Sequence, residues 1–213
     1  RAIDLSVASN LALSGMLISL LSTVYPELPV YYFIALSCII GTILGVLNGV
    51  SIAILKVPFI VTTLGTMSIY RGLIYFVSDG KQVYSSEFSE DFLDLIHFKF
   101  LSLSFLFWLA VAVFIIFYIL LNHTRFGRNL YSLGGNPDAA KYIGINENKY
   151  IILAYSISGL FAGLCGYLWV ARYSVASTQI AIGFELTVIS ACVVGGISVM
   201  GGVGTVLGCL LGA

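Results

Sequence analysis

The chain has 213 residues, of which 59% are hydrophobic and 9% are charged, and its formal net charge at pH 7 is zero. Soluble domains carry about 25% charged residues, so this composition excludes a globular protein with a water-covered surface. The chain is therefore expected to be a membrane protein, and its zero net charge points to no particular partner.

Five stretches of the chain are long and apolar enough to cross a bilayer as a helix, which needs about 20 residues. They are residues 3–24, 30–55, 58–77, 101–121 and 151–170. The sequence thus predicts an all-α polytopic membrane protein, built as a helical bundle. In the second stretch Gly41, Gly45 and Gly49 recur at every fourth position, a spacing that lets a neighbouring helix approach closely in lipid.

Charged residues concentrate in two loops, and their signs differ. The loop 78–100 is rich in acidic residues, whereas the loop 122–150 carries more basic than acidic ones. Its basic residues are Arg125, Arg128, Lys141 and Lys149. Because basic loops are retained in the cytoplasm, the loop 122–150 is predicted to be cytoplasmic and the loop 78–100 extracytoplasmic. Apolar residues spaced along 88–98 predict a short surface helix in the extracytoplasmic loop.

One basic residue, Arg71, lies inside a predicted membrane span. An arginine at this depth is energetically costly unless it faces protein or water, which admits a role in transport. Alternatively, Arg71 lies near the outer interface, extends its side chain outward and anchors the helix.

A short helix is predicted inside the basic loop, at residues 137–143. Asn136 is a favourable N-cap, Pro137 fits the first helical position, and Asp138 favours the positive end of the helix dipole. Gly144 can adopt the left-handed conformation that closes a helix. A helix of about two turns is marginally stable alone, so capping signals at both ends predict that it packs against a partner protein.

The last part of the chain resembles the first. Residues 3–9 align with 184–190, and residues 41–49 align with 204–212 at six of nine positions. If the loops lie as predicted, these weak copies start on opposite sides of the membrane, which is an inverted repeat. Residues 185–200 are short for a span and glycine-rich, so a re-entrant or broken helix is expected there. One long helix loosened by glycine is the alternative.

Residues 138–144 read Asp-Ala-Ala-Lys-Tyr-Ile-Gly. This stretch resembles the coupling motif of ATP-binding-cassette (ABC) importer permeases, and the residues around it resemble the ribose/xylose-type sugar permeases, which include autoinducer-2 importers. Further segments similar to that family lie at 3–7, 57–66, 70–73 and 195–204. Ala8 stands where the family usually has glycine, and Asp138 stands where it usually has glutamate.

The resemblance implies a permease subunit that moves a monosaccharide or sugar-like solute across a bacterial inner membrane. It implies a cytoplasmic ATP-binding subunit bound to the short helix, a second permease subunit, identical or similar, and an extracytoplasmic solute-binding protein. The chain, 1–213, is then one transmembrane permease domain of a longer protein, surrounded by membrane lipid and without a nucleic-acid partner. The coupling residues are Asn136, Pro137, Asp138, Ala139, Ala140 and Gly144.

A sugar is bound through its hydroxyls, so polar side chains in the spans are candidates for its path. These candidates are Ser9, Asn10, Asn48, Thr62, Thr63 and Ser190, together with Arg71. Each hydroxyl and amide has a structural alternative, which is a hydrogen bond to a backbone carbonyl or a neighbouring helix. Asp4 and Glu185 begin the two aligned copies, where helix capping explains them as well as transport does.

No catalytic residue, metal site or cofactor is expected. The sequence lacks the phosphate-binding loop G-x-x-x-x-G-K-[ST] of ATPases, and its four cysteines lie in apolar runs without the paired spacing of metal sites. ATP hydrolysis is therefore expected in a separate subunit. The alternatives left open are an ion-coupled secondary transporter, a branched-chain amino-acid-type ABC permease and a membrane anchor without transport activity.

Overall fold

The computed structural model describes residues 2–213, except for the side chains of Glu90 and His97. The helices of this described part are α1 (Val7–Val24), α2 (Val30–Ala53), α3 (Phe59–Ser78), α4 (Glu90–His97), α5 (Phe105–His123), α6 (Arg125–Gly135), α7 (Pro137–Tyr142), α8 (Glu147–Tyr173), α9 (Phe184–Val194) and α10 (Val206–Gly212). Short strands β1 (Val83–Tyr84) and β4 (Val175–Ala176) pair antiparallel, as do β2 (Lys99–Phe100) and β3 (Leu103–Ser104). The all-α prediction is confirmed.

Five of these helices, α1, α2, α3, α5 and α8, are long and apolar enough to cross a membrane. They match the five predicted spans, but some boundaries differ. α1 begins at Val7, because Asp4 and Ser6 form a hydrogen-bonded turn ahead of the helix. α5 begins at Phe105, because residues 99–104 form the β2–β3 hairpin. α8 extends the predicted fifth span at both ends.

The most extensive helix contact joins α2 to α8. Gly41 and Gly45 of α2 face Gly159 and Gly163 of α8, and a Cβ atom on any of the four would overlap the backbone of the other helix. Across the same interface, the Ser37 hydroxyl donates to the carbonyl oxygen of Gly163 at 2.6 Å. The glycine spacing therefore brings the two helices, which run antiparallel, into backbone contact, as the sequence predicted.

Two further helices complete this half of the bundle. α1 runs parallel to α8, with Gly15 against Gly166. α3 packs on α1 and α2, and the hydroxyl of Tyr70 donates to the carbonyl oxygen of Leu44 at 2.9 Å. The buried core thus lies among α1, α2, α3 and α8.

The two ends of the bundle carry different elements. At one end β1 pairs with β4, and Phe92 of α4 packs against Phe33 of α2 and Tyr167 of α8. The predicted surface helix is therefore present as α4, but its apolar face is buried. At the other end, where α7 leads into α8, Lys56 Nζ donates to Asn148 Oδ1 at 2.8 Å. We call the end with the β1–β4 pair the outer end and the end where α7 leads into α8 the inner end, following the charge-based prediction.

α9 and α10 form a helical hairpin. α9 spans 11 residues, a length of about 16 Å, which is too short to cross a bilayer. The chain reverses through Gly196, Gly201 and Gly202, whose positive φ angles favour glycine. α10 then returns against α9, with Gly208 facing Gly195. The helix predicted for residues 185–200 is broken at these glycines, as expected, and the single long helix is wrong.

The aligned copies run in opposite directions, as an inverted repeat requires. α1 runs from the inner to the outer end, whereas α9 starts beside Trp169 near the outer end and leads to the inner end, where Gly202 meets α6. The local conformations differ, however. Residues 3–6 precede α1, whereas Phe184, which aligns with residue 3, already begins α9. Gly15 lies within α1, whereas Gly196, at the aligned position, lies in a turn. The copies therefore share direction but not detailed structure.

Candidate functional site

The short helix α7 has the capped ends that the sequence predicted. The side-chain oxygen of Asn136 accepts a hydrogen bond from the backbone N–H of Ala139 at 3.1 Å, and Pro137 occupies the first turn. At the other end, Gly144 has a φ of 84°. The N–H of Ile145 there donates to the carbonyl oxygen of Ala140 at 3.0 Å. Both ends are therefore satisfied within the loop itself.

α7 presents an apolar surface to the solvent. Tyr142 is 92% exposed and Ile143 is 73% exposed, whereas Ala140 is only 2% exposed. Among the predicted coupling residues, Asn136, Asp138, Ala139 and Gly144 are also exposed, and Pro137 is half-buried. Ala140 supports the helix from inside, so the surface open to a partner is formed by its neighbours. The sequence did not single out Tyr142 and Ile143 for this surface.

α6 connects α7 to the rest of the protein. The amide of Asn129 donates to the Tyr150 hydroxyl of α8 at 2.6 Å, and the Phe126 ring stacks on Tyr150. The hydroxyl of Tyr131 donates to the carbonyl oxygen of Gly204 at 2.9 Å, in the turn between α9 and α10. A displacement of α6 would therefore act directly on both α8 and the α9–α10 hairpin. The sequence predicted only a loop here, apart from α7.

Two cavities lie beside α6. The larger, of about 890 Å³, is an open cavity lined by α5, α8, the α9–α10 hairpin and residues 2–7, and its walls are mostly apolar. The smaller, of about 470 Å³, lies between α6 and α8 and reaches Pro137 and Glu147 at the inner end. The second cavity therefore connects the neighbourhood of α7 with the interior of the bundle.

Asp4 lines both cavities. Its Oδ1 atom accepts hydrogen bonds from Ser6 N at 2.9 Å and Ser6 Oγ at 2.7 Å, and its Oδ2 atom accepts one from Ser158 Oγ at 3.3 Å. The N-cap of α1 is Ser6, and Asp4, two residues ahead of it, accepts a hydrogen bond from the backbone N–H of this cap residue. Both the capping role and the transport role of Asp4 stay predictions. Ser158 could not be identified from the sequence, because a single serine among the small residues of a membrane helix is a common packing residue.

Ser9, Asn10 and Asn48 form a buried polar cluster where α1 meets α2. Asn10 Nδ2 donates to the carbonyl oxygen of Gly41 at 3.1 Å, and Asn48 Nδ2 donates to Ser6 Oγ at 2.7 Å. Ser9 Oγ donates to the carbonyl oxygen of Ser6 at 2.8 Å. None of the three lines either cavity, and each makes a hydrogen bond of the kind that was the structural alternative to transport.

The threonines and Ser190 also lie away from the cavities. Thr62 and Thr63 are buried on α3, and their hydroxyls donate to the carbonyl oxygens of Pro58 and Phe59 one turn earlier. Ser190 is exposed on α9 and lines neither cavity. These hydroxyls are therefore not brought together with Asp4.

Arg71 binds the loop that leads into α9. Its Nη1 atom donates to the carbonyl oxygen of Ile180 at 2.6 Å, and its Nη2 atom donates to that of Ala181 at 3.1 Å. Glu185, half-buried in the first turn of α9, adds a favourable charge interaction. Arg71 therefore faces protein and does not extend outward as the anchoring alternative predicted. It joins α3 to the start of the hairpin, and we call this contact of Arg71 with Ile180 and Ala181 the clasp.

The described residues include no group of three or more His, Cys, Asp or Glu side chains that converge as metal ligands. The sulfur atoms of Cys192 and Cys209 lie 4.0 Å apart, between α9 and α10. The candidate site consequently consists of the exposed α7 surface, α6 and the two cavities, an arrangement suited to binding and movement.

Residues 1–213 match the model of the family described as "Branched-chain amino acid transport system / permease component". The chain is 35% identical to the autoinducer 2 import system permease protein of Photorhabdus luminescens over 100% of the chain and 63% of that relative. It is 36% identical to the galactose/methyl galactoside import permease protein of Escherichia coli (strain K12), over 98% of the chain and 67% of the relative. With the L-arabinose ABC transporter permease protein of Azospirillum brasilense it shares 39% identity, over 99% of the chain and 61% of the relative. The chain thus spans about two thirds of the length of these relatives, and no solved structure matches it.

Proposed function

Because the chain belongs to the family described as branched-chain amino acid transport system permease components, we propose that it is the transmembrane permease subunit of an ABC importer. It lies in a bacterial inner membrane and transports solute without catalysing a reaction. The solute is a monosaccharide or a sugar-like molecule, because the relatives named above are permeases for galactose/methyl galactoside, L-arabinose or autoinducer 2.

The observation that supports this proposal best is the exposed apolar surface of α7. A large tyrosine and an isoleucine exposed side by side in a polar loop are typical of a protein contact. In this proposal a cytoplasmic ATP-binding subunit packs on Tyr142, Ile143, Asp138 and Ala139. The chain itself lacks a phosphate-binding loop, so ATP is hydrolysed in that subunit. The movement of α7 then passes through α6 to α8 and the α9–α10 hairpin.

The solute passes along the cavities that α6 borders. Asp4 is the predicted path residue that lines both of them, and Arg71 and Glu185 set the position of the hairpin that forms one wall. A second permease subunit, identical or similar, and an extracytoplasmic solute-binding protein that docks at the outer end complete the importer.

The experiment is co-purification of the full-length chain from its native membrane, with wild type and a Tyr142→Ala/Ile143→Ala double variant. We expect an ATPase to accompany the wild type and to be lost from the double variant, because the variant removes most of the apolar contact. Tyr25→Ala is the matched control, since Tyr25 is also exposed but lies at the outer end. An Ala140→Arg variant is less informative, because Ala140 is buried and the arginine would distort α7 itself.

The proposal fails if no ATPase accompanies the wild type and the reconstituted chain moves solute on an ion gradient alone. That outcome identifies an ion-coupled secondary transporter instead. Loss of the ATPase from the Tyr25→Ala control as well would show that the contact is not confined to α7.

A further inference from the structure

The two cavities share one stretch of wall. Five residues line both: Ala2, Asp4, Leu130, Gly134 and Ser158. They come from the segment before α1, from α6 and from α8. This junction is the place where the larger cavity meets the smaller one, which reaches the inner end.

Within the junction, only Asp4 and Ser158 have polar side chains. Their hydrogen bond, 3.3 Å long, is the weakest of those that reach the Asp4 carboxylate, since the two bonds from Ser6 measure 2.7 and 2.9 Å. A carboxylate accepts about four hydrogen bonds, so one acceptor position remains beside the three that these residues fill. The Ser158 hydroxyl is also the partner that can rotate away without disturbing the turn at Ser6.

The chemistry of this pair matches hydroxyl-bearing solutes. A carboxylate partly removed from water binds O–H donors strongly, because a hydrogen bond to a charged acceptor exceeds one between neutral groups. A serine hydroxyl both donates and accepts, so it can bind the neighbouring hydroxyl of the same solute. The rest of the junction wall is apolar and offers a surface for the C–H face of a sugar ring.

We propose that Asp4 and Ser158 form a hydroxyl-binding subsite at the junction of the two cavities. One solute hydroxyl replaces Ser158 on Asp4, and the released Ser158 hydroxyl binds the next. This inference rests on the proposed function and adds to it the residue pair that distinguishes polyhydroxylated solutes from apolar ones. Because Leu130 and Gly134 of α6 form part of the junction wall, movement of α6 and α7 changes the shape of the same junction.

A purely structural role for the pair is the competing explanation. In that case the hydrogen bond between Asp4 and Ser158 only holds residues 2–6 against α8. The two explanations differ in what Ser158→Ala changes. A structural tie affects the amount and stability of the protein, whereas a subsite affects the choice among solutes that differ by one hydroxyl.

The test measures uptake into proteoliposomes that contain the full importer, with radiolabelled D-ribose, L-arabinose and D-galactose. The sugar that the wild type takes up best is then compared with its analogues that lack single hydroxyls. We expect Ser158→Ala to raise KM about tenfold for the full sugar, with Vmax little changed. It should also abolish the preference over one of the deoxy analogues, and Ser158→Thr, which keeps the hydroxyl, should restore that preference.

Ser156→Ala is the matched control, because Ser156 lies on the same helix and its hydroxyl donates to the carbonyl oxygen of Ile152, away from both cavities. Co-purification of the ATPase is measured on every variant. Suppose that the wild type takes up a sugar. If Ser158→Ala then keeps the wild-type preference over the deoxy analogues, or has the same KM and preference as Ser156→Ala, the subsite is contradicted and the permease function stands. If the wild type takes up none of the three sugars and carries no ATPase, the proposed function fails, and the subsite fails with it.

Discussion

The half of the bundle that contains α1, α2, α3 and α8 is packed differently from the half that contains α5, α6, α9 and α10. In the first half, glycines bring helix backbones into contact, and buried polar groups such as Asn10 and Ser37 bond across the interfaces. In the second half, no described residue of α5, α9 or α10 is buried, and a cavity of about 890 Å³ separates the helices. We infer that the first half moves as one body, whereas the second half has room to rearrange around it.

The largest effect is expected at the glycine interface of the first half. In a Gly41→Leu variant, the new side chain meets the backbone of α8 at Gly159, which cannot move aside as a side chain does. We expect a loss of stability greater than the roughly 1–3 kcal/mol typical of overpacked cores, visible as loss of folded protein in a detergent thermal-stability assay. Gly65→Leu on α3 is the control, because the space around Gly65 is open. Equal losses in the two variants would contradict backbone contact between α2 and α8.

A smaller effect is expected at the clasp that joins the two halves. Arg71→Lys keeps the charge, but a lysine ammonium does not reach both Ile180 and Ala181 as the planar guanidinium does. The loss of one charged hydrogen bond should cost about 1.5 kcal/mol. It should also increase protease cleavage in residues 177–183. Arg172→Lys, an exposed arginine at the end of α8, is the control. Unchanged stability and cleavage in Arg71→Lys would exclude the clasp.

The α9–α10 hairpin of the second half can be tested with its own cysteines, Cys192 and Cys209, so its packing need not be altered. Cys192 and Cys209 are 17 residues apart with sulfur atoms at 4.0 Å, whereas a continuous helix would separate them by about 25 Å. In a Cys38→Ser/Cys165→Ser background, mild oxidation should join them, which mass spectrometry of the digested protein detects. The same oxidation of Cys209→Ser is the control. Absence of the linked peptide from fully oxidised protein would rule out the hairpin.

The smallest effect is expected at the exposed ion pair behind α7. Glu147 lies 2.9 Å from Lys141 Nζ and holds the pKa of Lys141 above its ordinary value. Because the folded-state pKa is raised, the contribution of the pair is present at neutral pH and is lost only as the pH rises through that raised pKa. Lys141→Met should therefore shift the melting temperature little, and by the same amount from roughly pH 6 to 9. A shift that varies strongly within this range would contradict the assignment.

The two halves also differ in how well the sequence predicted them. The five spans followed from hydrophobic length, and a close helix contact at Gly41 and Gly45 followed from their spacing, which are local signals. The caps of α7 followed from Asn136 and Gly144 for the same reason. That the partner at Gly41 and Gly45 is α8 did not follow from the sequence. The contacts of Arg71 with Ile180 and of Asp4 with Ser158 join residues more than 100 positions apart, and no local pattern encodes them.

The candidate path residues show a related limit of sequence reasoning. A span that is apolar all around has no polar stripe to indicate which face meets protein. The sequence therefore grouped Ser9, Asn48 and Thr63 with Asp4, although only Asp4 lines the cavities. α6 was missed because its polar residues resemble those of a loop, although Thr124 is a local signal for it: the Thr124 hydroxyl oxygen caps the helix by accepting a hydrogen bond from the N–H of Gly127.

The most direct test of a stable half and a moving half is a pair of spin-label distances in the importer purified with its ATP-binding subunit. The four native cysteines are first replaced by serine. One pair of labels, at Ile43 and Leu160, reports on the α2–α8 interface, and the other, at Ile119 and Leu207, reports across the cavity between α5 and α10; all four positions are exposed. When ATP is added, the first distance should stay constant and the second should change by several ångström. A constant second distance, or a change in the first as large as in the second, would contradict the account.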